Sequence, residues 1–223
     1  MKAKPDSFRL GFTLSRGMRV GLFGGSFNPA HDGHTHVAET ALTRLGLDRV
    51  IWLVSPQNPL KPKAAAPLVE RMAGARRFAR GRRMIVSDAE TRFGVRYTVD
   101  TLRRFRSRFP GVHFVWIMGA DNLAQIHRWR GWPDIFRAVP IAVVARPGGG
   151  AEARARLAPA ARRFACARLS ENAGPILAYQ KAPAVITLEA PLNPASSTAI
   201  RAGCAQTERS WLRERRRAKA TTV

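Results

Sequence analysis

Two histidines and a pair of glycines near the N-terminus have the residue types and the spacing to do chemistry. In the stretch GLFGGSFNPAHDGH, residues 21–34, Gly24 and Gly25 end an apolar run, and His31 and His34 precede a new helical periodicity. Glycines at a strand end let the backbone approach a phosphate, and the following helix N-terminus offers unpaired N–H groups. Imidazoles at that helix start can hold an oxyanion that gains charge during a reaction. The stretch therefore predicts an anion site.

Other interpretations of the two histidines are weaker but remain open. A zinc site would need a third ligand, and the other histidines, His36, His113 and His127, show no matching spacing. The pair could also be buried in a core, and the glycines could form an ordinary tight turn. We expect His36 to face away from the site, at the surface.

A second anion-binding pattern lies near the C-terminus. The sequence SSTAIR, residues 196–201, combines three hydroxyl groups that can cap a helix with an arginine about one turn inside it. Helix N–H groups, hydroxyls and a guanidinium are together suited to phosphate oxygens. An ordinary helix cap would look similar, so the pattern is informative chiefly in combination with residues 21–34.

The elements that must position these residues alternate along the chain. Short apolar runs predict strands at 18–23, 49–56, 84–86, 113–121, 140–145 and 185–188, with helical spacing between most of them and a turn-like connection over 87–98. A helix is expected over 152–164, whereas residues 165–183 show little periodicity. Alternating strands and helices predict a Rossmann-like, doubly wound parallel sheet with helices on both faces. The loops that carry the chemistry follow strands, so they should meet at one edge.

Composition narrows the class of protein. The 223 residues are 45% hydrophobic and carry a formal net charge of +23, which fits one folded domain that attracts polyanions and phosphorylated small molecules. The two cysteines, Cys166 and Cys204, favour free thiols in a reducing compartment, and no apolar stretch has the length of a membrane span. We expect a cytoplasmic protein without a membrane partner.

The motifs together resemble those of a known family. GGSFNPAHDGH is similar to the GGxFxPxHxGH signature of the nucleotidylyl transferase superfamily, and SSTAIR resembles its C-terminal SSTxIR element. Between them, YTVDTL (97–102), GADNL (119–123) and the pair Arg128 and Trp129 resemble bacterial nicotinate mononucleotide adenylyltransferases. The likeness spans residues 18–205, which we take as one nucleotidylyl transferase domain between a basic N-terminal extension (1–17) and a basic C-terminal helix or tail (206–223).

The resemblance implies an activity and its partners. Such enzymes transfer AMP from ATP to nicotinate mononucleotide, which gives nicotinate adenine dinucleotide and pyrophosphate in NAD biosynthesis. The mononucleotide phosphate attacks the α-phosphorus in line, without a covalent enzyme intermediate. Mg²⁺ is the implied cofactor, held mainly by the ATP phosphates, so no protein residue is assigned to the metal. The oligomeric state, monomer or homodimer, stays open.

The resemblance also implies roles for individual residues. The catalytic residues are His31, His34 and Arg201, with His34 closest to the α-phosphate. The ATP-binding residues are Phe23, Gly24, Gly25, Ser26, Phe27, Gly119, Asp121, Ser196, Ser197 and Thr198. The nicotinate mononucleotide-binding residues are Lys61, Thr98, Trp129 and Arg146.

Several of these roles have structural alternatives. Trp129 could belong to the core, which is the interpretation we favour for Trp132; Lys61 could be solvated, and Arg146 could pair with a carboxylate.

Two other functions compete with this prediction. A related adenylyltransferase that acts on nicotinamide mononucleotide or phosphopantetheine would share both phosphate motifs, so Thr98, Trp129 and their neighbours must discriminate. A nucleic-acid-binding protein would also be basic, but its aromatic residues should lie among the basic ones. Phe23, Phe114 and Trp116 lie instead in apolar runs, so we expect no specific nucleic-acid partner.

Overall fold

Six short apolar runs form a parallel sheet in the computed structural model, which describes residues 10–56, 66–145, 154, 155 and 157–190. The strands are β1 (Arg19–Gly25), β2 (Arg49–Val54), β3 (Met84–Ser87), β4 (His113–Gly119), β5 (Ile141–Ala145) and β6 (Val185–Glu189). Their order is β3-β2-β1-β4-β5-β6, and every neighbouring pair is parallel. The order reverses between β1 and β4, so the loops after these strands leave a crevice where such folds bind ligands.

Helices cover both faces of this sheet, as the alternation predicts. The helices are α1 (Asp32–Arg44), α2 (Leu68–Phe78), α3 (Ala89–Phe93), α4 (Thr98–Arg108), α5 (Ala120–Gln125), α6 (Trp132–Ala138) and α7 (Pro159–Arg163). Short 3₁₀ helices span Ile126–Arg128, Ala165–Ala167 and Glu171–Tyr179. The helices α1 and α2 pack with Glu171–Tyr179 in one hydrophobic cluster, and α3 to α7 pack in the other. None of the helices described is both long and apolar enough to cross a bilayer.

The central strands are apolar on both sides because each side faces a core. In β1, Leu22 belongs to the cluster beneath α4, and its neighbour Phe23 belongs to the cluster beneath α1. Trp116 and Ile117 of β4 divide in the same way. This two-sided burial explains why the strands read as continuous hydrophobic runs rather than as alternating ones.

The structure corrects the prediction for two connections. Residues 87–98 contain the short helix α3, which ends at Gly94 with a left-handed φ of 65°, and Phe93 packs edge-on against Phe105 at 5.4 Å between ring centroids. So brief a helix has no room for an amphipathic repeat, which is why periodicity missed it. The helix expected over 152–164 is interrupted at Ala158: residues 154, 155 and 157 are helical, α7 follows over Pro159–Arg163, and a 3₁₀ helix comes next.

The N-terminal boundary also lies earlier than the sequence suggests. Leu10 is 6% exposed in the core, the ring of Phe12 stacks on Phe109 at 6.2 Å, and the Gly17 backbone N–H donates to the Gly111 carbonyl at 2.8 Å. Residues 10–17 are therefore packed on the domain rather than part of a loose extension. The other ends of the predicted segments, residues 1–9 and everything from 191 onward, lie outside the described residues.

Candidate functional site

The loops that carry the predicted chemistry leave neighbouring strands at their carboxyl ends. Phe23 of β1 pairs with Ile117 of β4, so the two strands end side by side at Gly25 and Gly119. On the other side of β1, Gly25 pairs with Val54, where β2 ends. The turn before His31, the loop after β2 and the start of α5 therefore meet at one edge, as predicted.

The two histidines occupy the first turn of α1. His31 is the residue before the helix, and its backbone N–H donates to Nδ1 of His34 at 3.2 Å. The ring centroids lie 3.8 Å apart. An Nδ1 that accepts a hydrogen bond carries no proton, so the neutral His34 ring carries its proton on Nε2. The local fold thereby selects a tautomer that offers a donor on the far side of the ring.

The aromatic rings of Phe23, Phe27 and Trp52 pack against the ring of His34. Phe27 meets the His34 ring at 5.0 Å and stacks on Trp52 at 5.1 Å, while Phe23 contacts both Phe27 and Trp52 edge-on. Phe27 adopts a φ of 45°, a left-handed conformation that is rare for a bulky residue. Because the side chains of Phe23 and Phe27 are buried, any contact that they make with ATP must come from their backbone groups.

The glycines of this edge have a packing reason as well as a chemical one. A Cβ atom on Gly24 would collide with the ring of Trp116, and one on Gly25 would lie 3.0 Å from the ring of Phe27. A Cβ atom on Gly119 would lie 2.5 Å from Oδ1 of Asp121, whose carboxylate turns back over the end of β4. The buried indole of Trp116 therefore requires glycine at position 24, whereas a side chain at 25 or 119 would need a shift of Phe27 or of the exposed Asp121 carboxylate.

A buried arginine that sequence analysis missed donates hydrogen bonds to the backbone of two loops at this edge. Arg71 of α2 is 4% exposed. Its Nε donates to the carbonyl of Ala66 at 2.8 Å, its Nη1 to those of Ser26 at 2.8 Å and Ser55 at 2.7 Å, and its Nη2 to that of Pro56 at 2.9 Å. Burial lowers the pKa of the guanidinium. The available signal was its place on the buried stripe of the helix, three residues after Leu68.

The two segments predicted to select the acceptor, around Thr98 and Trp129, contact each other and form the acceptor-side region. They pack on the face of the sheet that α4 covers, opposite to the face that α1 covers. Thr98 is the first residue of α4 and is half-buried. The guanidinium of Arg130 lies 4.7 Å above the ring centroid of Tyr97, and the Gly131 backbone packs against Val99. Trp129 is partly buried against the core. The structure therefore brings the Thr98 and Trp129 segments together, and Trp129 retains an exposed part.

A buried carboxyl group lies beneath this acceptor-side region. Glu90 of α3 is 5% exposed, and the Thr101 hydroxyl lies 2.9 Å from its Oε1 and 3.2 Å from the Tyr97 carbonyl. Burial raises the pKa of Glu90 to about 7, although the bond from Thr101 opposes the shift. A protonated Glu90 can donate to the hydroxyl, which is then free to donate to Tyr97. Sequence analysis missed Glu90 because it treated residues 87–98 as a loop.

The remaining predictions divide into three groups. Trp132, like Trp129, is partly buried against the core, and it packs edge-on against Phe136 and Phe164. His36 is half-buried rather than at the surface, because its Nε2 is enclosed and has no hydrogen-bond partner among the described residues. The predicted site residues outside the described part of the chain are Lys61, Arg146, Ser196, Ser197, Thr198 and Arg201.

Metal ligands do not cluster in the described ranges: they hold no group of three or more His, Cys, Asp or Glu side chains that could bind an ion. Asp121 is exposed at the crevice, and Asp32, beside His31, pairs with Arg80 at 3.2 Å. Mg²⁺ prefers oxygen ligands and often takes them from substrate phosphates. The carboxylate oxygens of Asp121 are of the kind that Mg²⁺ accepts, so the crevice is compatible with a nucleotide that carries this ion.

Comparison with known proteins agrees with this geometry. A family model described as cytidylyltransferase-like matches residues 22–203. Among curated proteins, a "Probable nicotinate-nucleotide adenylyltransferase" of Caulobacter sp. (strain K31) is 67% identical over 185 residues, which are 82% of this chain and 97% of that protein. A protein of the same name from Roseobacter denitrificans is 52% identical over 194 residues, 86% of this chain and 96% of its own.

Solved structures show the same fold at lower identity. Plasmodium falciparum nicotinic acid mononucleotide adenylyltransferase, complexed with NaAD, superposes with a TM-score of 0.60 at 13% identity and covers 82% of each chain. The same enzyme complexed with APC gives a TM-score of 0.58 over 82% of this chain and 81% of its own. From the family match and the two bacterial relatives, we conclude that this chain belongs to the cytidylyltransferase-like family.

Proposed function

We propose that this protein transfers AMP from ATP to the phosphate of nicotinate mononucleotide, which forms nicotinate adenine dinucleotide and pyrophosphate. The observation that carries the proposal is the pair His31 and His34 at the start of α1, at the edge where β1 and β4 end. The 67% identity to a protein named for this reaction supports the choice of substrates.

The chemistry requires positioning and charge stabilisation rather than a protein nucleophile. An oxygen of the mononucleotide phosphate attacks the ATP α-phosphorus, and the bond from that phosphorus to the oxygen bridging the α- and β-phosphates breaks in line, so that pyrophosphate leaves. Negative charge shifts onto the leaving phosphates. In this proposal Nε2–H of His34, whose ring is oriented by the bond at Nδ1, donates to an oxygen of the reacting phosphate.

Other groups at the edge take supporting roles in the proposal. His31 contacts the ATP phosphates beside His34, and backbone groups of residues 23–27 line the turn. Asp121 accepts from ribose hydroxyls. The residues Lys61, Arg146, Ser196, Ser197, Thr198 and Arg201 keep their predicted contacts with the two nucleotides. Mg²⁺ enters as part of the ATP substrate and neutralises phosphate charge.

On the acceptor side, Trp129 stacks on the pyridine ring and the Thr98 segment donates to its carboxylate. The contacts of Arg130 with Tyr97 and of Gly131 with Val99 support this assignment, because they join the chain that carries Trp129 to the N-terminus of α4. A neutral carboxamide would gain less from that positive helix end than a carboxylate does. We therefore propose a preference for nicotinate over nicotinamide mononucleotide.

The decisive experiment measures pyrophosphate release from ATP and Mg²⁺ with nicotinate mononucleotide, nicotinamide mononucleotide and phosphopantetheine in turn. We expect the nicotinate compound to give the highest kcat/KM. Equal or higher values with either of the others would contradict the assignment of the acceptor, and no release with any of them would contradict the reaction itself.

The basic surface needs a separate test. The rings of Phe23, Phe114 and Trp116 are buried, so they are not available to stack on nucleic-acid bases. This supports the view that the positive charge attracts phosphorylated substrates. We propose a protein that works in the cytoplasm without a specific nucleic-acid partner; the exposed thiol of Cys166 is consistent with a reducing compartment. RNA binding should disappear at modest salt while adenylyl transfer persists, and sequence-selective binding that resists salt would contradict this view.

A further inference from the structure

The guanidinium of Arg71 joins two loops that are separate in the sequence. One of its acceptors, Ser26, lies in the turn between β1 and the histidines, and two others, Ser55 and Pro56, open the loop after β2. A fourth, Ala66, lies just before α2. The planar guanidinium can serve these divergent directions at once, whereas the ammonium of a lysine radiates its three donors from a single point.

The turn that Arg71 holds is conformationally unfavourable by itself. Phe27 follows Ser26 and adopts the left-handed φ of 45°, which persists only where the surroundings impose it. Since the Ser26 carbonyl points at Arg71, the trans peptide directs the Phe27 N–H away from it. Arg71 and the stack of Phe27 on Trp52 thus fix the turn from two sides.

The bonds around Arg71 are carried further by neighbouring contacts. The Ser55 backbone N–H donates to the Gly25 carbonyl at 3.0 Å, and the Ala66 backbone N–H lies 3.4 Å from Oδ1 of Asn28. No ion pair to a carboxylate is found for Arg71 among the residues described. Because its acceptors are the carbonyls of two loops, the buried guanidinium of Arg71 links backbone segments rather than neutralising a carboxylate.

We propose that Arg71 is a positioning residue for adenylyl transfer, which holds the turn before His31 and the loop after β2 in one arrangement through their backbone carbonyls. This inference rests on the proposed function. Arg71 contacts no substrate; it sets the distance between the turn before His31 and the described residues Ser55 and Pro56 after β2. Misplacement of reacting groups by about 1 Å can cost about 100-fold in rate.

The test compares Arg71→Lys and Arg71→Ala with two control variants. Arg77→Met removes the same charge from an exposed position of α2, and Ala75→Gly destabilises that helix without touching the loops. Each is assayed for kcat, for KM of both substrates and for Tm. We expect Arg71→Lys to lower kcat/KM by about 10- to 100-fold, Arg77→Met by less than about twofold, and Ala75→Gly to lower Tm with near-normal kcat/KM.

Chemical rescue separates a positioning role from general stability. Millimolar methylguanidinium should raise kcat/KM of Arg71→Ala at least about fivefold and leave the wild type unchanged, since it restores the planar donors in the space left by the side chain. Wild-type kcat/KM in Arg71→Lys would overturn the proposal. The proposal would also be overturned if Arg71→Ala and Ala75→Gly had the same Tm and the same loss of kcat/KM, and methylguanidinium did not rescue Arg71→Ala.

A second measurement does not depend on the reaction. In Arg71→Lys, amide hydrogen exchange should accelerate in residues 25–30 and in 54–56, and stay unchanged in β4. Unchanged exchange in both loops would overturn the proposal even if activity fell. A wild type without pyrophosphate release would contradict the proposed function, and the exchange result would still show whether Arg71 holds the two loops.

Discussion

The turn before His31 and the acceptor-side region around Thr98 and Trp129 lie at the same edge of the sheet but are built differently. The first is supported from below by buried rings and by a buried guanidinium. The second is half-buried, with the exposed Arg130 lying over Tyr97. In the proposed reaction, the phosphates meet the rigid region and the acceptor base meets the more open one. The difference suggests that chemistry and choice of acceptor can vary separately.

The largest expected effect is on the rigid side. His34→Ala should lower kcat by about 100- to 1,000-fold, the scale of losing one donor to a reacting oxyanion, and leave ATP affinity largely intact. Steady-state kinetics and equilibrium binding of an ATP analogue measure the two quantities. His36→Ala, from the same helix, is the control. A near-normal kcat would show that His34 does not take part in the reaction. A loss of kcat with only one of the acceptors would show that the His34 region also selects the acceptor.

The next effect concerns the support of the acceptor-side region. Because the pKa of Glu90 is raised from 4.5 to about 7, the folded chain binds the proton more tightly than the unfolded chain. The stabilisation is fully present below about pH 4.5, is lost as the pH rises to about 7 and then levels off. The shift corresponds to about 3 kcal/mol.

Urea unfolding of wild type and Glu90→Gln checks this. The free energy of unfolding of the variant, relative to wild type, should increase by about 3 kcal/mol between pH 4.5 and pH 8, since glutamine cannot ionise. Comparing the two proteins at each pH cancels the other titrating groups. A difference that does not change with pH would show that the pKa of Glu90 is the same in the folded and the unfolded chain, and would contradict the raised value.

The smallest effect should sharpen the division of roles. Trp129→Ala should raise KM for the acceptor by about fivefold and leave KM for ATP unchanged, because one ring contact is worth about 1 kcal/mol. Trp129→Phe should recover most of the loss. Initial rates with each substrate varied in turn decide the matter. An equal rise in both KM values would mean that Trp129 supports the fold rather than the acceptor.

The sequence was sufficient for features that depend on local order along the chain. Strands were predictable because two-sided burial leaves continuous apolar runs, and the histidines because three residues across a helix start bring two rings together. The meeting of the site loops at one edge was predictable from the rule that ligand loops leave the carboxyl ends of parallel strands. Gly24 and Gly25 were identified, but Trp116 lies too far along the chain for their packing partner to be visible.

Arg71 and Glu90 could not be predicted in the same way. The importance of Arg71 depends on two loops that converge only in the folded chain, and among so many arginines its residue type carried no signal. Glu90 looks like an exposed residue of a polar connection until α3 is packed over the Thr101 hydroxyl. Both side chains are buried and ionisable, and their roles depend on hydrogen-bond partners that are distant in the sequence.

The close approach of Gly24 to Trp116 has an evolutionary consequence. The indole ring occupies the space that any side chain at position 24 would need, so neither position can change freely. A smaller residue at 116 would open a cavity, and a larger one at 24 would displace the indole ring from the core. A relative that carries a side chain at position 24 should therefore carry a residue smaller than tryptophan at position 116.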